Sequence, residues 1–556
     1  MNEFCETYHN VEWMGVVSDE GLYKAYHACT FTAYPSEIEG FGMPIIESMW
    51  FGKPCLCNKE GSIGELAAPG GCCLTDVMDE TSIKEALYKM VTDREYLLRL
   101  QHESTERDIT TWNQYVDNIC DLLMDMHVDF EQYERCRLRL DSKLEIQDWV
   151  KKSEKDRMVI VSNFYPPDFC GGAEIIAHNQ GMAMVDEELM DVLAVSVVVK
   201  DHSTPGDNYI EMVDDIPVLR ICVSGENFNS TGINFYDLKV NEIFDEVCEL
   251  IRPKAVHCHN IIGTSLGIVD IAHKWGAKVV VTLHDNWGFC FKNTCLNNKA
   301  ELCSNVFQCE ECMPVLTGGG ISIPLKARQQ YFRRIFEKID AYISPSRYLA
   351  MAYIKAGVDA HKMHVIWNGI DIEKYDKMVK KTSDKLRITF VGYFGMHKGI
   401  ADLIRAVGKI KDERIQINLV GAGEEQDNYK QIAAEQGILN QIKFWGKIPN
   451  EEVIEVYEET DIYCLPSIWP ENQPVSITEA MACGIPVIAS AMGGNKELVK
   501  DGVTGRLFKA TDVDELAECI TAFLSNPQLV TEMGAAGKAL MTDNSFKKQV
   551  KKIVDL

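Results

Sequence analysis

Pro466-Ser467-Ile468-Trp469-Pro470-Glu471-Asn472-Gln473-Pro474-Val475-Ser476-Ile477-Thr478-Glu479-Ala480-Met481-Ala482-Cys483-Gly484-Ile485-Pro486-Val487-Ile488-Ala489-Ser490 starts just after one apolar run, which ends at Leu465, and finishes inside a second, at Val487 to Ala489. Its two carboxylates, Glu471 and Glu479, flank a loop-to-helix junction. Strand, turn, helix and strand in that order predict an α/β fold with a parallel sheet, whose ligands sit beyond the carboxyl ends of its strands. Both acids are therefore expected in a cleft.

The pattern occurs twice. Pro35 to Met49 repeats the eight-residue spacing, with Glu39 and Glu47 aligned to Glu471 and Glu479. Trp13-Met14-Gly15 aligns with Phe444-Trp445-Gly446, Tyr26 with Tyr457, Gly52-Lys53-Pro54 with Gly484-Ile485-Pro486, and Glu65-Leu66 with Glu497-Leu498. The repeat covers roughly ninety residues, too long for a solenoid unit and about half a domain.

A length of 556 residues allows several domains, each with its own core. The net charge of −27 argues against a general nucleic-acid binder, because phosphate backbones are gripped mainly by Lys and Arg. Met1 to Glu6 lacks the basic start and apolar core of a signal peptide, and no run approaches the ~20 apolar residues that span a bilayer. Twenty cysteines scattered through predicted strands and helices fit reduced thiols better than a disulfide framework. The expected location is cytoplasmic.

Residues 1–129 read as the second half of a doubly wound domain whose start is missing: either the tail of a first enzyme in a longer chain or a degenerate remnant. Residues 130–157, rich in charge and free of Gly and Pro, read as a helical linker. A sheet begins at Met158 to Val161. Strands are expected at Val192 to Val199, Ile216 to Val223, Ala255 to His259, Val279 to Leu283, Ala341 to Ser344 and His364 to Trp367, which makes 158–376 a complete α/β domain. The pattern restarts at Leu386 to Val391 and Ile415 to Val420, so 377–556 forms a second domain, closed by a helix at Ser545 to Leu556.

Several groups could carry chemistry. Gly171-Gly172-Ala173-Glu174 opens a helix, where glycines allow close backbone approach to a ligand or serve turn geometry alone. His284, in Thr282-Leu283-His284-Asp285, ends a strand and could hydrogen-bond a substrate hydroxyl, with His257 and His259 as competitors and a buried structural histidine as the plainer alternative. Gly392 opens a glycine-rich turn that ends at Lys398-Gly399, a cation able to neutralise a diphosphate. Gly421-Ala422-Gly423 is only the start of a dinucleotide fingerprint. Ser476 to Glu479 has capping-box spacing, but Pro44 replaces the serine in the first copy while Glu47 stays, so capping alone does not account for the acid. A carboxylate can instead take both hydrogens of a ribose diol. Cys290, Cys295, Cys303, Cys309 and Cys312 include one Cys-x-x-Cys, read as buried thiols ahead of a zinc site. Lys326 to Lys338 is read as an amphipathic helix with a solvated basic face, ahead of a membrane-surface helix.

Taken together, Gly171 to Glu174, Thr282 to Asp285, Asn368-Gly369-Ile370-Asp371, the Lys398-Gly399 turn and the Glu471 to Glu479 pair resemble the retaining family-four glycosyltransferases of the GT-B fold. The resemblance implies two Rossmann-like domains facing a cleft, the first for the acceptor and the second for a nucleotide sugar. Carried across, Glu479 binds the ribose, Glu471 and Asn472 the donor sugar, Lys398 and Gly392 the diphosphate, Gly171 and Gly172 the donor phosphates from the opposite domain, and His284 a hydroxyl near the reacting carbon. No cofactor and no metal are implied. The partners are a nucleotide sugar and a saccharide or lipid-linked acceptor, with a peripheral contact at the inner membrane face as an option. Tyr393 departs from the family, which usually has arginine there. A nucleotide-sugar epimerase or a non-catalytic scaffold would share the fold.

Overall fold

The computed structural model describes residues 8, 10–125, 135–168, 171–200, 203–298, 302–303, 309–318, 320–449 and 452–556. They form two compact units, Met1–Tyr133 and Glu134–Leu556. The Met1 to Glu6 segment, the end of the expected first domain at 126–129 and the start of the expected linker at 130–134 lie outside the described residues.

In the first unit, α1 (Asp19–Ala28), β1 (Thr32–Tyr34), α2 (Met43–Trp50), β2 (Cys55–Asn58), α3 (Gly61–Ala67) and β3 (Cys72–Thr75) alternate, followed by α4 (Glu80–Thr92), α5 (Arg94–Glu106) and α6 (Trp112–Asp125). The three strands are parallel in the order β1-β2-β3. β2 is buried on both faces, with Ile45, Met49 and Ile63 packing beside Cys55 and Cys57, and Met90 and Leu100 beside Leu56. That double burial is why it reads as a continuous apolar run. Trp13-Met14-Gly15 forms no strand here and is exposed, unlike its counterpart in the second unit.

The second unit starts with α7 (Leu140–Lys152), inside the stretch read as a linker. It packs on the body of this unit with Ile146 fully buried. Then come β4 (Arg157–Ser162), α8 (Gly172–Asp186), β5 (Asp191–Val198), β6 (Asn208–Val213), β7 (Ile216–Cys222), a 3-10 turn at Gly225–Phe228, α9 (Leu238–Ile251), β8 (Ala255–Cys258), α10 (Ile268–Lys274) and β9 (Lys278–Thr282). After a long loop follow β10 (Val315–Gly318), β11 (Ile321–Pro324), α11 (Leu325–Lys338), β12 (Ala341–Ser344), α12 (Arg347–Lys355) and β13 (Met363–Val365). The main sheet has the order β13-β12-β9-β8-β4-β5-β7-β6, parallel except for the antiparallel edge strand β6. β10 and β11 form a separate antiparallel hairpin.

A short α13 (Ile372–Asp376) leads into β14 (Leu386–Val391), α14 (Ile400–Ile410), β15 (Ile415–Val420), α15 (Gln426–Glu435), β16 (Ile442–Gly446), α16 (Val453–Glu458), β17 (Ile462–Leu465), α17 (Val475–Ala482), β18 (Val487–Ser490), α18 (Asn495–Leu498) and β19 (Gly505–Phe508). This sheet is wholly parallel in the order β16-β15-β14-β17-β18-β19. It is the doubly wound arrangement, and the chain leaves β14 and β17 in opposite directions. α19 (Val513–Ser525) and α20 (Gln528–Thr542) cover it, and α21 (Phe546–Val554) crosses back onto α8 of the preceding domain, burying Phe546, Val550 and Ile553.

The amino ends of β14 and β17 are clamped by charge. Arg387 donates through Nε and its backbone N–H to Asp461 Oδ2, both at 2.9 Å, and through Nη2 to Oδ1 at 3.1 Å. Both side chains are mostly buried. Lys380 Nζ also lies 3.2 Å from Asp461, so losing Arg387 leaves that charge partly met and costs the lost charge-assisted bonds, about 1–3 kcal/mol. Arg387→Met should therefore lower the urea midpoint of the second unit by that equivalent; an unchanged midpoint would show that the pair does not hold these strands together.

Candidate functional site

The switch point between β14 and β17 brings the central residues together. After β14, Gly392 continues the ladder by donating to Val420 O at 2.9 Å, and a single 3-10 turn, Met396–Lys398, presents Lys398. Gly399 closes that turn at φ +69°, and a Cβ on it would lie 2.0 Å from Pro466 O. Only glycine lets the two loops approach so closely. From the β17 loop, Glu471 Oε1 accepts from Lys398 Nζ at 2.7 Å and from Ser467 Oγ at 2.8 Å, and Ser490 Oγ fixes the Ser467 carbonyl at 2.5 Å. Ser467 and Ser490 were not singled out in the sequence.

Glu479 lies one helix deeper, on α17. Tyr375 OH donates to Oε1 at 2.8 Å and Tyr457 OH to Oε2 at 3.0 Å, leaving the residue 7% exposed. Burial pushes its carboxyl above the usual range, against the pull of the two tyrosines. The capping-box alternative does not form: α17 has Pro474 at its N-cap with no side-chain cap, and Ser476 Oγ accepts from Tyr463 OH at 2.6 Å. In the first unit Tyr26 OH likewise donates to Glu47, at 2.9 Å. Ser36 donates to Glu39 at 3.0 Å, but Tyr34 holds Glu39 where Lys398 holds Glu471.

Gly171 and Gly172 open α8, and the Gly171 N–H donates to the buried Glu174 at 3.0 Å. A Cβ on Gly172 would come within 3.1 Å of Val475, so the amino ends of α8 and α17 face each other across the cleft. His284 follows β9. Its Nε2 is 3.0 Å from His259 Nδ1, His257 Nε2 is 2.7 Å from Thr282 Oγ1, and the His257 and His259 rings lie 4.4 Å apart. The three histidines read as competitors thus form one column. Burial pushes His284 down to about 4 and His257 to about 3, and lowers His259 well below its ordinary value. All three are neutral at pH 7.

Beside the Tyr375–Glu479 bond, several side chains link the domains near the cleft. Asn472 Nδ2 donates to His284 O at 2.8 Å, and Gln473 Oε1 accepts from Asn368 N at 2.7 Å. Glu497 accepts from Arg347 N at 2.8 Å and Tyr348 N at 2.9 Å, sitting on the amino end of α12, where a negative charge is favoured. The sequence pointed to Glu497 only as a repeat position. Gly421 and Gly423 serve packing, since a Cβ on them would meet Gly392 O at 1.9 Å and Phe394 O at 2.4 Å. Tyr393, in the position of the expected arginine, is half exposed and bonds Glu424.

Of the five cysteines read as buried thiols, Cys309 is buried and Cys290, Cys295, Cys303 and Cys312 are half-buried. The Cys295 thiol, with backbone N–H groups, pulls Cys290 down to about 6. Among the described residues no three His, Cys, Asp or Glu side chains come together as a metal-binding group. In α11 Arg328 is buried, donating to Trp287 O at 2.5 Å, and Lys338 pairs with Asp270 at 2.6 Å, so the helix lacks a continuous solvated basic face. Among the described residues no helix is long and apolar enough to cross a membrane.

Residues 2–107 and 371–540 match the family model for glycosyl transferases group 1, and residues 171–374 that for glycosyltransferase family 4. The two models together place the chain among the GT-B glycosyltransferases. The fold is shared with HepE of Anabaena, solved with UDP and glucose (TM-score 0.52, 19% identity, 72% of this chain and 98% of that one), and with a sucrose-phosphate synthase of Thermosynechococcus elongatus (TM-score 0.54, 19% identity, 72% and 98%). An uncharacterized glycosyltransferase of Methanocaldococcus jannaschii is 31% identical over 227 residues, covering 39% of this chain and 58% of that protein. A GDP-mannose-dependent phosphatidylinositol monomannoside mannosyltransferase of Mycolicibacterium smegmatis is 26% identical over 230 residues, covering 38% and 60%. The chain thus spans less than two thirds of the length of these relatives.

The histidine column makes stability depend on pH. An unfolded histidine binds a proton near pH 6.5, whereas the buried ones resist protonation down to about 3 and 4, so stability is lost as pH falls below 6.5. At pH 5.5 the cost is about 1.4 kcal/mol per histidine. The melting midpoint should drop between pH 7.5 and 5.5, and His257→Gln should flatten that drop; an equal drop in the variant would count against the column as its source. The domain contact is tested separately. Glu497→Gln should speed amide exchange at Arg347 and Tyr348 by about tenfold, as loss of a charge-assisted bond implies, and wild-type protection in the variant would remove Glu497 as a tie.

Proposed function

We propose that the second unit transfers a hexosyl group from a nucleotide sugar to a saccharide or lipid-linked acceptor, with retention of configuration, in surface polysaccharide or glycolipid assembly. The observation that carries this reading is the Lys398–Glu471–Ser467 cluster at the switch point, where open α/β sheets bind ligands. The bond from the anomeric carbon to the diphosphate breaks, the acceptor oxygen takes its place on the same face, and the acceptor proton leaves with the diphosphate. Lys398 and the facing amino ends of α8 and α17 stabilise the departing charge, a role that needs donors fixed in advance. We read this arrangement as metal-independent.

Glu471 then grips the donor sugar and Glu479 the ribose, exchanging tyrosine hydroxyls for those of the diol. Neutral His284 offers a hydrogen bond beside the reacting carbon and carries no charge to repel an oxocarbenium-like centre. The relatives lend support: one uses GDP-mannose, a D-inositol 3-phosphate glycosyltransferase of Mycobacterium is 32% identical over 181 residues, and an amylovoran biosynthesis glycosyltransferase of Erwinia amylovora is 29% identical over 201 residues. A cytoplasmic location goes with this reading.

We read the first unit as a partial second copy of the donor-binding half, inactive by itself because Tyr34 stands at Glu39 where a lysine is needed. Two hydrogen bonds from a diol to a charged group are together worth about 3 kcal/mol. Glu479→Ala should thus cut nucleoside diphosphate release from a panel of nucleotide sugars by about 100-fold, while Glu47→Ala should leave it unchanged. The reverse pattern would assign the reaction to the first unit and overturn this reading.

A further inference from the structure

The N-terminal domain of the second unit has a switch point of its own. β4 and β8 are neighbours, and the chain leaves them toward opposite sides of the sheet. Beyond their carboxyl ends, Phe164, two residues after β4, lies parallel to Phe228 from the turn after β7, with ring centroids 4.9 Å apart and planes 12° from parallel. The geometry is specified by the surrounding backbone. Gly263, in the loop after β8, has φ +77°, and a Cβ there would come within 2.7 Å of the Phe228 ring, so glycine is what admits the ring. Asn227 Nδ2, next to Phe228, is anchored on Asp237 at 2.7 Å and on Gly263 O at 3.2 Å. Asn163, next to Phe164, donates its backbone N–H to Asn260 O at 2.5 Å. Both rings remain partly open to solvent.

Polar groups without partners lie at the end of β4 and in the segment after β8. Ser162 Oγ at the end of β4, His259 Nε2 just after β8 and Thr264 Oγ1 next to Gly263 are buried and make no hydrogen bond. Native structures rarely leave such groups unmet, and their presence around one strand-end crevice points to a polar ligand there. His259 also touches His284, whose carbonyl binds Asn472 of the facing domain, so this crevice adjoins the histidine column.

We propose that Phe164 and Phe228 form the shelf on which the acceptor's sugar ring lies, its C–H face against an aromatic ring and its hydroxyls toward the unpaired groups. This rests on the glycosyltransferase reading and makes that acceptor a saccharide at the point of attachment. A pyranose has one face of C–H groups and a rim of hydroxyls, matching a flat apolar surface bordered by buried polar atoms. A lipid phosphate would require cations, and none of the residues named in this crevice is basic apart from neutral histidine.

The test is saturation-transfer NMR on the full chain with methyl α-D-glucopyranoside, methyl α-D-mannopyranoside and methyl β-D-galactopyranoside. At least one should take up saturation at its ring C–H protons, with affinity about 3- to 10-fold weaker in Phe228→Ala, in keeping with the worth of an aromatic stack. Phe228→Leu keeps apolar bulk without the flat ring and should weaken binding similarly, which guards against an unfolded alanine variant. No saturation in the wild type, or wild-type affinity in Phe228→Leu, would overturn the shelf. Nucleotide-sugar thermal shifts recorded in parallel separate the two readings: they should persist in Phe228→Leu, and their absence from the wild type would count against the transferase reading itself.

Discussion

The approach of two loops, one after β14 and one after β17, fixes most of what surrounds it. A doubly wound sheet sends its chain in opposite directions at one pair of neighbouring strands and leaves a crevice between them. Here Gly399 lets the backbones meet, and Lys398 spans the crevice to Glu471 at 2.7 Å. The contact demands a glycine, a lysine of fixed reach, a serine to share the carboxylate, and a second serine to hold the first. Each is ordinary alone, and their coincidence at a switch point is what the proposed donor site rests on.

The same loop also sets the relation of the two domains. Asn472 and Gln473 follow Glu471 directly, yet their side chains reach His284 O and Asn368 N in the other domain. The proposed donor-sugar contact and the domain contact thus lie within two residues of each other. Glu497 adds a further tie with different physics, a carboxylate held by helix N–H groups. Such a tie is exchangeable, because water or another anion can take the carboxylate's place, whereas the Gln473 bond to Asn368 lies buried.

Much of this was legible in the sequence because doubly buried parallel strands write themselves as short apolar runs. Leu386 to Val391, Ile415 to Val420 and Ala341 to Ser344 coincide with strands, and the two acids mark the helix between β17 and β18. What was not legible shares a cause. β6 is an antiparallel edge strand with only part of its length buried, and β10 and β11 pair with each other outside the main sheet. None carries the run expected of a buried strand. α7 falls in the stretch read as a helical linker, and the helix is there; what spacing did not show is that its apolar anchor Ile146 is buried against the second unit. Within the site, partners distant in sequence were invisible: Tyr375 is 104 residues from Glu479, and Glu497 is 150 from Arg347. Spacing rules reach a few turns of helix, and these contacts depend on the sheet having folded.

The comparison between the units separates what the fold requires from what the chemistry requires. Both keep the tyrosine on the helical glutamate, Tyr457 on Glu479 and Tyr26 on Glu47, and both keep the serine on the loop glutamate. These bonds therefore accompany the strand-turn-helix unit wherever it folds, and by themselves they say little about activity. Lys398 behaves differently: it arrives from β14, an element with no counterpart among the described strands of the first unit, and Tyr34 from the unit's own β1 fills the place. A neutral hydroxyl satisfies the carboxylate as well as an ammonium does for folding, but it cannot offset the charge of a leaving diphosphate. The ion pair is thus the element that stability alone would not have selected, and it distinguishes the proposed donor site of the second unit from its counterpart in the first.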